Sequence, residues 1–217
     1  MTLIRGLVER YRFRLLLVLL LSVLLAVPLA HASILGESLL IAAVGIISTS
    51  VLWITGTRGN TARLGVAVIT LWAVVALAAG LFPVPGLASV RVVVALIMSL
   101  FVMWSVFVAL LREARADVDA LAGAIFGYFL LAVVFAQVYA ALEIVHPGAF
   151  ALDNHGPPTM ELVYFSLVTI TTLGYGDILP VAPTARILAG IEAALGSLYL
   201  AVLIGRIVGV FKRPDEA

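Results

Sequence analysis

The chain has 217 residues, of which 64% are hydrophobic and 12% charged, and its formal net charge at pH 7 is +1. Soluble domains are about half apolar and about a quarter charged, so this composition excludes an ordinary soluble domain and indicates an integral membrane protein. The near-zero net charge gives no reason to expect a nucleic-acid partner. The lack of cysteine excludes disulfides and thiolate metal sites.

Six apolar stretches are long enough to cross a bilayer, which takes about 20 residues. In chain order they are 13–30, 37–55, 64–82, 90–111, 120–145 and 185–210. We therefore expect an all-α membrane protein with six transmembrane helices. A seventh apolar stretch, 160–171, is too short to cross and predicts a re-entrant helix, with Thr159 as its N-cap.

The beginning of the chain also imitates a signal peptide, because a basic run and a leucine-rich core precede Ala30-His31-Ala32. The apolar run extends to Ala30, however, and is longer than the roughly 7–15 residues of a signal core. We therefore expect a retained first span. Cleavage would leave the topology of the other spans unchanged.

Basic residues predict the orientation, because those that flank short loops remain in the cytoplasm. They precede the first span, occupy every second loop and follow the last span, whereas the other three loops contain no arginine or lysine. The sequence therefore predicts a multi-pass protein of the plasma membrane with both termini in the cytoplasm. The polar segment after stretch 160–171 then faces outside.

The fourth span contains a single arginine, Arg91, whereas a voltage sensor needs about 3–4 gating charges per subunit. One arginine near the outer end is more typical of a side chain that snorkels to the headgroups. We therefore expect no strong voltage gating. In the polar bridge that follows, Asp117 or Asp119 is expected to cap the next helix. A role of this bridge in coupling the first four spans to the rest of the chain is the alternative.

Residues 169–177 read Thr-Ile-Thr-Thr-Leu-Gly-Tyr-Gly-Asp, a polar run between apolar stretches. Gly174 and Gly176 remove the Cβ penalty at alternate positions, which is needed if successive carbonyls are to face one side. The run resembles the selectivity filter of the potassium-channel pore family, with Leu173 in the usual valine position. A chance Gly-Tyr-Gly turn is the alternative, and the threonines, the aspartate and the preceding short helix argue against it.

The resemblance implies that a ring of backbone carbonyls and one hydroxyl replaces the water shell of potassium. Asp177 would lie at the outer mouth and raise the local cation concentration. Potassium ions are the only bound species that we expect, and no other cofactor or metal. The implied ion-binding residues are Thr172, with its carbonyl and hydroxyl, Leu173, Gly174, Tyr175 and Gly176.

The filter would be supported from behind by the short helix. Many members of the family carry two tryptophans there, and this chain has Tyr164 and Phe165 at the matching positions. Thr171 follows at the carboxyl end of the helix. Because indole donors are absent, only Tyr164 offers a hydroxyl to the filter.

Two residues of the last span are candidates for gating or for lining a cavity. Gly196 lies 20 positions after Gly176, which matches the gating-hinge glycine of the family, and a packing role is the alternative. Glu192 lies on the same helical face. An ionisable group at that depth is costly, so Glu192 either lines the cavity or anchors the re-entrant helix by accepting hydrogen bonds.

The specific resemblance covers about the last hundred residues and is to a bacterial group of compact channels with extra spans before the pore, which implies a bacterial inner membrane. We expect a four-span membrane domain without an arginine-rich sensor, a cytoplasmic linker, a pore domain and a short cytoplasmic tail. Their respective bounds are 1–111, 112–119, 120–211 and 212–217. The tail is too short for a regulatory domain, so any regulator would be a separate protein.

Each chain carries one filter segment, whereas a closed ring of carbonyls needs four, so the resemblance implies a homotetramer surrounded by lipid. The expected function is passive, potassium-selective conduction. No catalytic constellation occurs, and we do not expect an enzyme. The alternatives are a subunit of a cation-uptake transporter, a non-selective cation channel and a non-conducting membrane partner.

Overall fold

The structure is a computed structural model, and it describes residues 11–30, 34–55, 59–82, 84, 86–112, 118–152 and 158–211. Within these residues the chain forms seven helices and one pair of very short antiparallel strands. The helices are α1 Arg12–Ala30, α2 Ile34–Ile54, α3 Asn60–Leu81, α4 Leu87–Arg112, α5 Val118–Val145, α6 Pro158–Ile170 and α7 Pro183–Phe211. The strands are β1 Phe150–Ala151 and β2 Leu179–Pro180.

Each of the six predicted apolar stretches coincides with a long helix to within a few residues. The helices begin one to four residues earlier than the apolar stretches. α3, for example, begins at Asn60, directly after Gly59 with its φ of 69°. Over the described residues, α3, α4, α5 and α7 are long and apolar enough to cross a membrane.

Helix α6 begins with Pro158 and has 13 residues, so it is about 20 Å long at 1.5 Å per residue. This length is well short of the roughly 30 Å of hydrocarbon in a bilayer. Proline suits the first helical position because its missing N–H would have no partner there. The prediction that Thr159 is the N-cap is wrong, since Thr159 lies inside the helix.

Helix α5 packs against four others, namely α1, α4, α6 and α7. Two glycines of α5 make this possible. A Cβ on Gly123 would lie 2.8 Å from Cγ of Phe13 in α1, and a Cβ on Gly127 would lie 2.7 Å from the hydroxyl of Tyr199 in α7. Helices α1 and α7 therefore place side chains where a Cβ at these two positions would lie, so a larger residue would require them to shift.

A buried carboxylate ties the beginning of α1 to the beginning of α5. Asp119 is 5% exposed and accepts hydrogen bonds from the backbone N–H groups of Phe13, at 3.3 Å, and Arg14, at 3.2 Å. The Nε atoms of Arg12 and Arg14 lie 3.9 and 3.8 Å from the same carboxylate. The first N–H groups of a helix have no partner within it, so Asp119 caps α1 rather than the helix to which it belongs. Asp117 lies outside the described residues.

Replacing Asp119 by alanine is expected to destabilise the protein, because two backbone donors of α1 lose their acceptor. The cost of leaving a buried donor unsatisfied is about 1–3 kcal/mol. Thermal unfolding in detergent measures the change, and Asp119→Asn, which keeps one acceptor oxygen, should lie between wild type and Asp119→Ala. Equal stability of all three proteins would contradict the capping role.

Candidate functional site

The candidate site is the loop 171–177, which leaves the carboxyl end of α6 and leads into β2. Its backbone angles alternate in sign. The φ angle is positive at Thr172 (57°), Gly174 (56°) and Gly176 (81°), and it is not positive at the two residues between them. Positive angles at both glycines agree with the sequence pattern. Thr172 is a β-branched residue in the left-handed region, which is strained and costs about 1–3 kcal/mol.

The N–H groups of the loop point back to α6. Thr172 donates to the carbonyl of Thr169 at 2.9 Å, and Leu173 and Gly174 donate to the carbonyl of Val168 at 2.9 and 3.4 Å. Among the described residues, no hydrogen bond is accepted by the carbonyls of residues 172–175. All residues from 171 to 177 are exposed in the single chain. The loop therefore presents unbonded acceptor oxygens at an accessible surface.

The last turn of α6, from which the loop starts, is held by three contacts. The hydroxyl of Tyr128 in α5 donates to the carbonyl of Ile170 at 2.8 Å. The hydroxyl of Thr171 donates to the carbonyl of Leu167 at 2.7 Å. On the other side, a Cβ on Gly196 of α7 would lie 2.5 Å from the same Ile170 carbonyl oxygen.

At the outer end of the loop, Tyr164 donates its hydroxyl proton to the carboxylate of Asp177 at 2.5 Å. Asp177 also accepts from the N–H of Ile178 at 3.0 Å. The hydroxyl of Tyr164, followed by the backbone N–H groups, lowers the pKa of Asp177 from its ordinary value of 3.8. The hydroxyl of Tyr164 therefore goes to Asp177 and not to Tyr175, whose side chain is 67% exposed in the single chain.

Phe165 follows Tyr164 in α6 and is buried in an aromatic cluster. Its ring centroid is 5.3 Å from those of Tyr139 in α5 and Phe150 in β1. Pro180 pairs with Phe150 across the two short strands. The cluster therefore fastens α6 to α5 and to the segment that follows the loop.

Glu192 lies inside the protein, between α5, α6 and α7. Its exposed fraction is 0%. The hydroxyl of Tyr139 donates to Oε2 of Glu192 at 2.5 Å, and Oε1 is hydrogen-bonded to the hydroxyl of Ser166. Ser166 also contacts the backbone carbonyl of Ala132, at 2.7 Å. The side chain thus faces helix neighbours of its own chain and not an open cavity.

Gly196 is 20 positions from Gly176, and α7 runs through it without interruption. Its lack of a Cβ lets the carboxyl end of α6 rest against α7. Three hydroxyl residues that support the site were not predicted from the sequence, namely Tyr128, Tyr139 and Ser166. The available signal was their polarity inside otherwise apolar helices, because a hydroxyl buried in hydrocarbon requires a partner.

Residues 127–213 match the family model described as an ion channel. The chain is 31% identical over 119 residues to the inward rectifier potassium channel Kirbac3.1 of Paramagnetospirillum magnetotacticum, covering 53% of this chain and 33% of that protein. This part of the chain is related to the potassium-channel pore family. The predicted resemblance is thereby confirmed.

Two further relatives match a little under two fifths of the chain each. The potassium voltage-gated channel protein shk-1 of Caenorhabditis elegans is 45% identical over 90 residues, or 39% of this chain and 16% of that protein. The voltage-gated potassium channel Kch of Escherichia coli strain K12 is 34% identical over 83 residues, or 38% of this chain and 19% of that protein. The potassium-channel pore relatives are thus matched over a third of their own length or less, and they are named as channels and not as enzymes. No solved structure matches the chain.

Replacing Gly196 by alanine is expected to destabilise the protein, because the new methyl group would overlap the Ile170 carbonyl oxygen. Overpacking of this kind costs about 1–3 kcal/mol. Gly190→Ala is the matched control in the same helix, since a Cβ there meets nothing within 4 Å. It should be neutral or stabilising by up to about 1 kcal/mol through helix propensity. Thermal unfolding of both variants checks the prediction, and equal effects would contradict it.

Replacing Tyr164 by phenylalanine is expected to raise the pKa of Asp177 towards its ordinary value. In wild type the hydrogen bond from Tyr164 favours the ionised form of Asp177. Its contribution to stability is therefore present above the ordinary pKa of an aspartate and is lost as the pH falls through the lowered pKa of Asp177. In Tyr164→Phe, Asp177 should therefore lose its charge at a higher pH than in wild type. Carbon-13 NMR of the aspartate carboxyls measures the midpoint, with Asp177→Asn identifying the signal. Identical midpoints would contradict the prediction.

Proposed function

We propose that the chain is a subunit of a potassium-selective channel that conducts passively through a tetrameric pore. The observation that carries this proposal is the loop 171–177, in which φ alternates in sign while the carbonyls of 172–175 accept no hydrogen bond within the described residues. A cation that leaves water needs such oxygens as replacement ligands. In this proposal Thr172, Leu173, Gly174, Tyr175 and Gly176 form the filter.

The direction of the N–H groups supports the same assignment. Because Leu173 and Gly174 donate back to Val168, their N–H groups are turned to the protein and away from an ion path. Asp177 adds a negative charge at the outer mouth. The carboxyl end of α6, with its partial negative charge, would be aimed at the same cations.

The geometry of the loop supports the proposed tetramer. One loop supplies one side of an ion's coordination shell, so a closed ring requires further copies around a symmetry axis. Helix α7 also carries a continuous apolar stripe that is exposed in the single chain and lies beside the exposed loop. Its members are Ile187, Ile191, Leu195, Leu198 and Val202. Contact between α7 helices of neighbouring copies would cover part of this stripe around the pore axis.

We propose six membrane-crossing helices, α1 to α5 and α7, with α6 as the re-entrant helix and both termini in the cytoplasm of a bacterial cell. The pore domain would be 120–211, preceded by the four-span domain 1–111 and the linker 112–119, with 212–217 as the tail. Within the side chains described for α4, Arg91 is the one basic residue, so strong voltage gating is not expected. A separate regulatory protein remains part of the proposal.

The proposal is tested by reconstituting the purified protein in liposomes and measuring potassium and sodium flux, with barium as a pore blocker. Potassium flux that is blocked by barium and greatly exceeds sodium flux is expected. Equal fluxes of the two ions would instead identify a non-selective cation channel. Flux that requires a second ion gradient would identify a transporter subunit, and no flux a non-conducting partner.

Replacing Gly174 by alanine should abolish selective potassium flux, because its φ of 56° places a Cβ in the left-handed region. That conformation costs about 1–2 kcal/mol for an L-residue, so the loop would be distorted at this position. Gly190→Ala, in open space on α7, is the control and should conduct like wild type if that face stays open in the tetramer. Wild-type selectivity in folded Gly174→Ala would contradict the filter assignment.

A further inference from the structure

Three helices meet at a buried group of five oxygen atoms. They belong to the hydroxyl of Tyr139 and the carbonyl of Ala132 in α5, the hydroxyl of Ser166 in α6, and the carboxyl of Glu192 in α7. The exposed fractions of Tyr139, Ser166 and Glu192 are all 0%. Every hydrogen bond in this group must therefore be satisfied within the protein.

A count of protons decides the chemical form of the carboxyl. Ser166 has one hydroxyl proton but lies within hydrogen-bond distance of two oxygens, the Ala132 carbonyl and Oε1 of Glu192. A carbonyl oxygen only accepts, and an ionised carboxylate only accepts as well. If Glu192 were ionised, one of the two contacts of Ser166 would be a pair of acceptor oxygens with no proton between them.

A proton on Oε1 of Glu192 resolves the conflict. Glu192 then donates to Ser166, Ser166 donates to the carbonyl of Ala132, and Tyr139 donates to the remaining oxygen, Oε2. Each of the three contacts holds one proton, and no oxygen is asked to donate twice. The chain of bonds runs in one direction from α7 through α6 to α5.

The surroundings agree with a neutral group. The ion pairs found among the described residues involve Asp119 and do not include Glu192. The rings of Phe135 and Phe150 lie next to Tyr139, with centroids 6.0 and 5.2 Å from its own. An ionised carboxylate without a cation in such an apolar setting costs several kcal/mol, whereas a neutral acid can donate a hydrogen bond there.

We propose that Glu192 is a positioning residue that works as a neutral carboxylic acid, joining α7 to α6 and α5 through its own donated proton. The inference deepens the proposed function and rests on it, since α6 is the helix that would hold the filter. Ser166 lies one turn before Ile170, so the bond fixes the depth of α6 between its neighbours. Glu192 is in this way separated from the ion path and does not act as a cation-attracting charge.

Infrared spectroscopy of the full-length protein in lipid vesicles tests the protonation directly. The difference spectrum between wild type and Glu192→Gln should contain a carboxylic-acid carbonyl band, which moves to lower frequency when the glutamates are labelled with carbon-13. Glu161→Gln, at another buried glutamate, is the matched control and should leave this band in place. A difference spectrum with carboxylate bands only would overturn the proposal.

Three variants test the direction of the bonds. Tyr139→Phe should move the Glu192 band to higher frequency, because the carbonyl oxygen loses its donor. Glu192→Gln should keep the melting temperature of wild type, because its amide donates to Ser166 and accepts from Tyr139. Glu192→Leu, which can do neither, should melt at a lower temperature. An unmoved band in Tyr139→Phe, or equal melting of Glu192→Leu and wild type, would overturn the assignment.

Flux measurements separate this inference from the proposed function. Glu192→Gln should conduct potassium like wild type, and reduced flux in the folded variant would show that the charge of Glu192 faces the ions. Wild-type vesicles without potassium selectivity, but with the carboxylic-acid band, would reject the channel and leave the neutral anchor in place. Selective wild-type flux without the band would do the reverse.

Discussion

The hydrogen bonds from Leu173 and Gly174 to the carbonyl of Val168 determine what the loop 171–177 can do. They satisfy the donors of the loop on the protein side, so the acceptors are left for another ligand. A loop with positive φ at three positions, including a threonine, is not stable alone and needs a fixed partner. The conformation of the loop therefore depends on how firmly α6 is held in place.

Helix α6 has only 13 residues, and isolated helices of this length are marginal in water. Its position comes from its neighbours. Helix α5 supplies the hydroxyls of Tyr128 and Tyr139 and the carbonyl of Ala132, while α7 supplies Glu192 and the close contact at Gly196. The same α5 is clasped at its other end by α1 through Asp119. Helix α5 thus both supports the site and holds the beginning of α1.

Much of this fold could be predicted from hydrophobic periodicity and length, because an apolar run of about 20 residues in a membrane has few alternatives to a helix. The positive angles at Gly174 and Gly176 followed from their lack of a Cβ. The positive φ of Thr172 could not be predicted, because threonine normally avoids that region. It accompanies a turn that is closed by the hydrogen bond from Thr172 to Thr169, which only the structure shows.

Contacts between segments that are far apart in the chain could not be predicted from the sequence. From the sequence, Asp119 is predicted to cap its own helix. Only the folded chain brings the beginning of α1 to it, and Arg14, one of its two backbone donors, is 105 residues away in sequence. Ser166 and Tyr139 read as isolated polar residues in apolar helices until Glu192 is placed between them. Which acceptor a buried hydroxyl finds depends on how helices are packed, and no local pattern encodes that.

The two explanations of Gly196, hinge and packing, are connected by the geometry. Helix α7 is continuous through Gly196, and the carbonyl of Ile170 occupies the space where a side chain would lie. A bend of α7 at this point would therefore displace the end of α6 and the start of the loop. Glu192 lies one turn earlier and fastens the same two helices, while Tyr199, beyond Gly196, donates its hydroxyl proton to the carbonyl of Ala124 in α5 at 2.6 Å. Helix α7 is thus held to other helices of its own chain on both sides of Gly196.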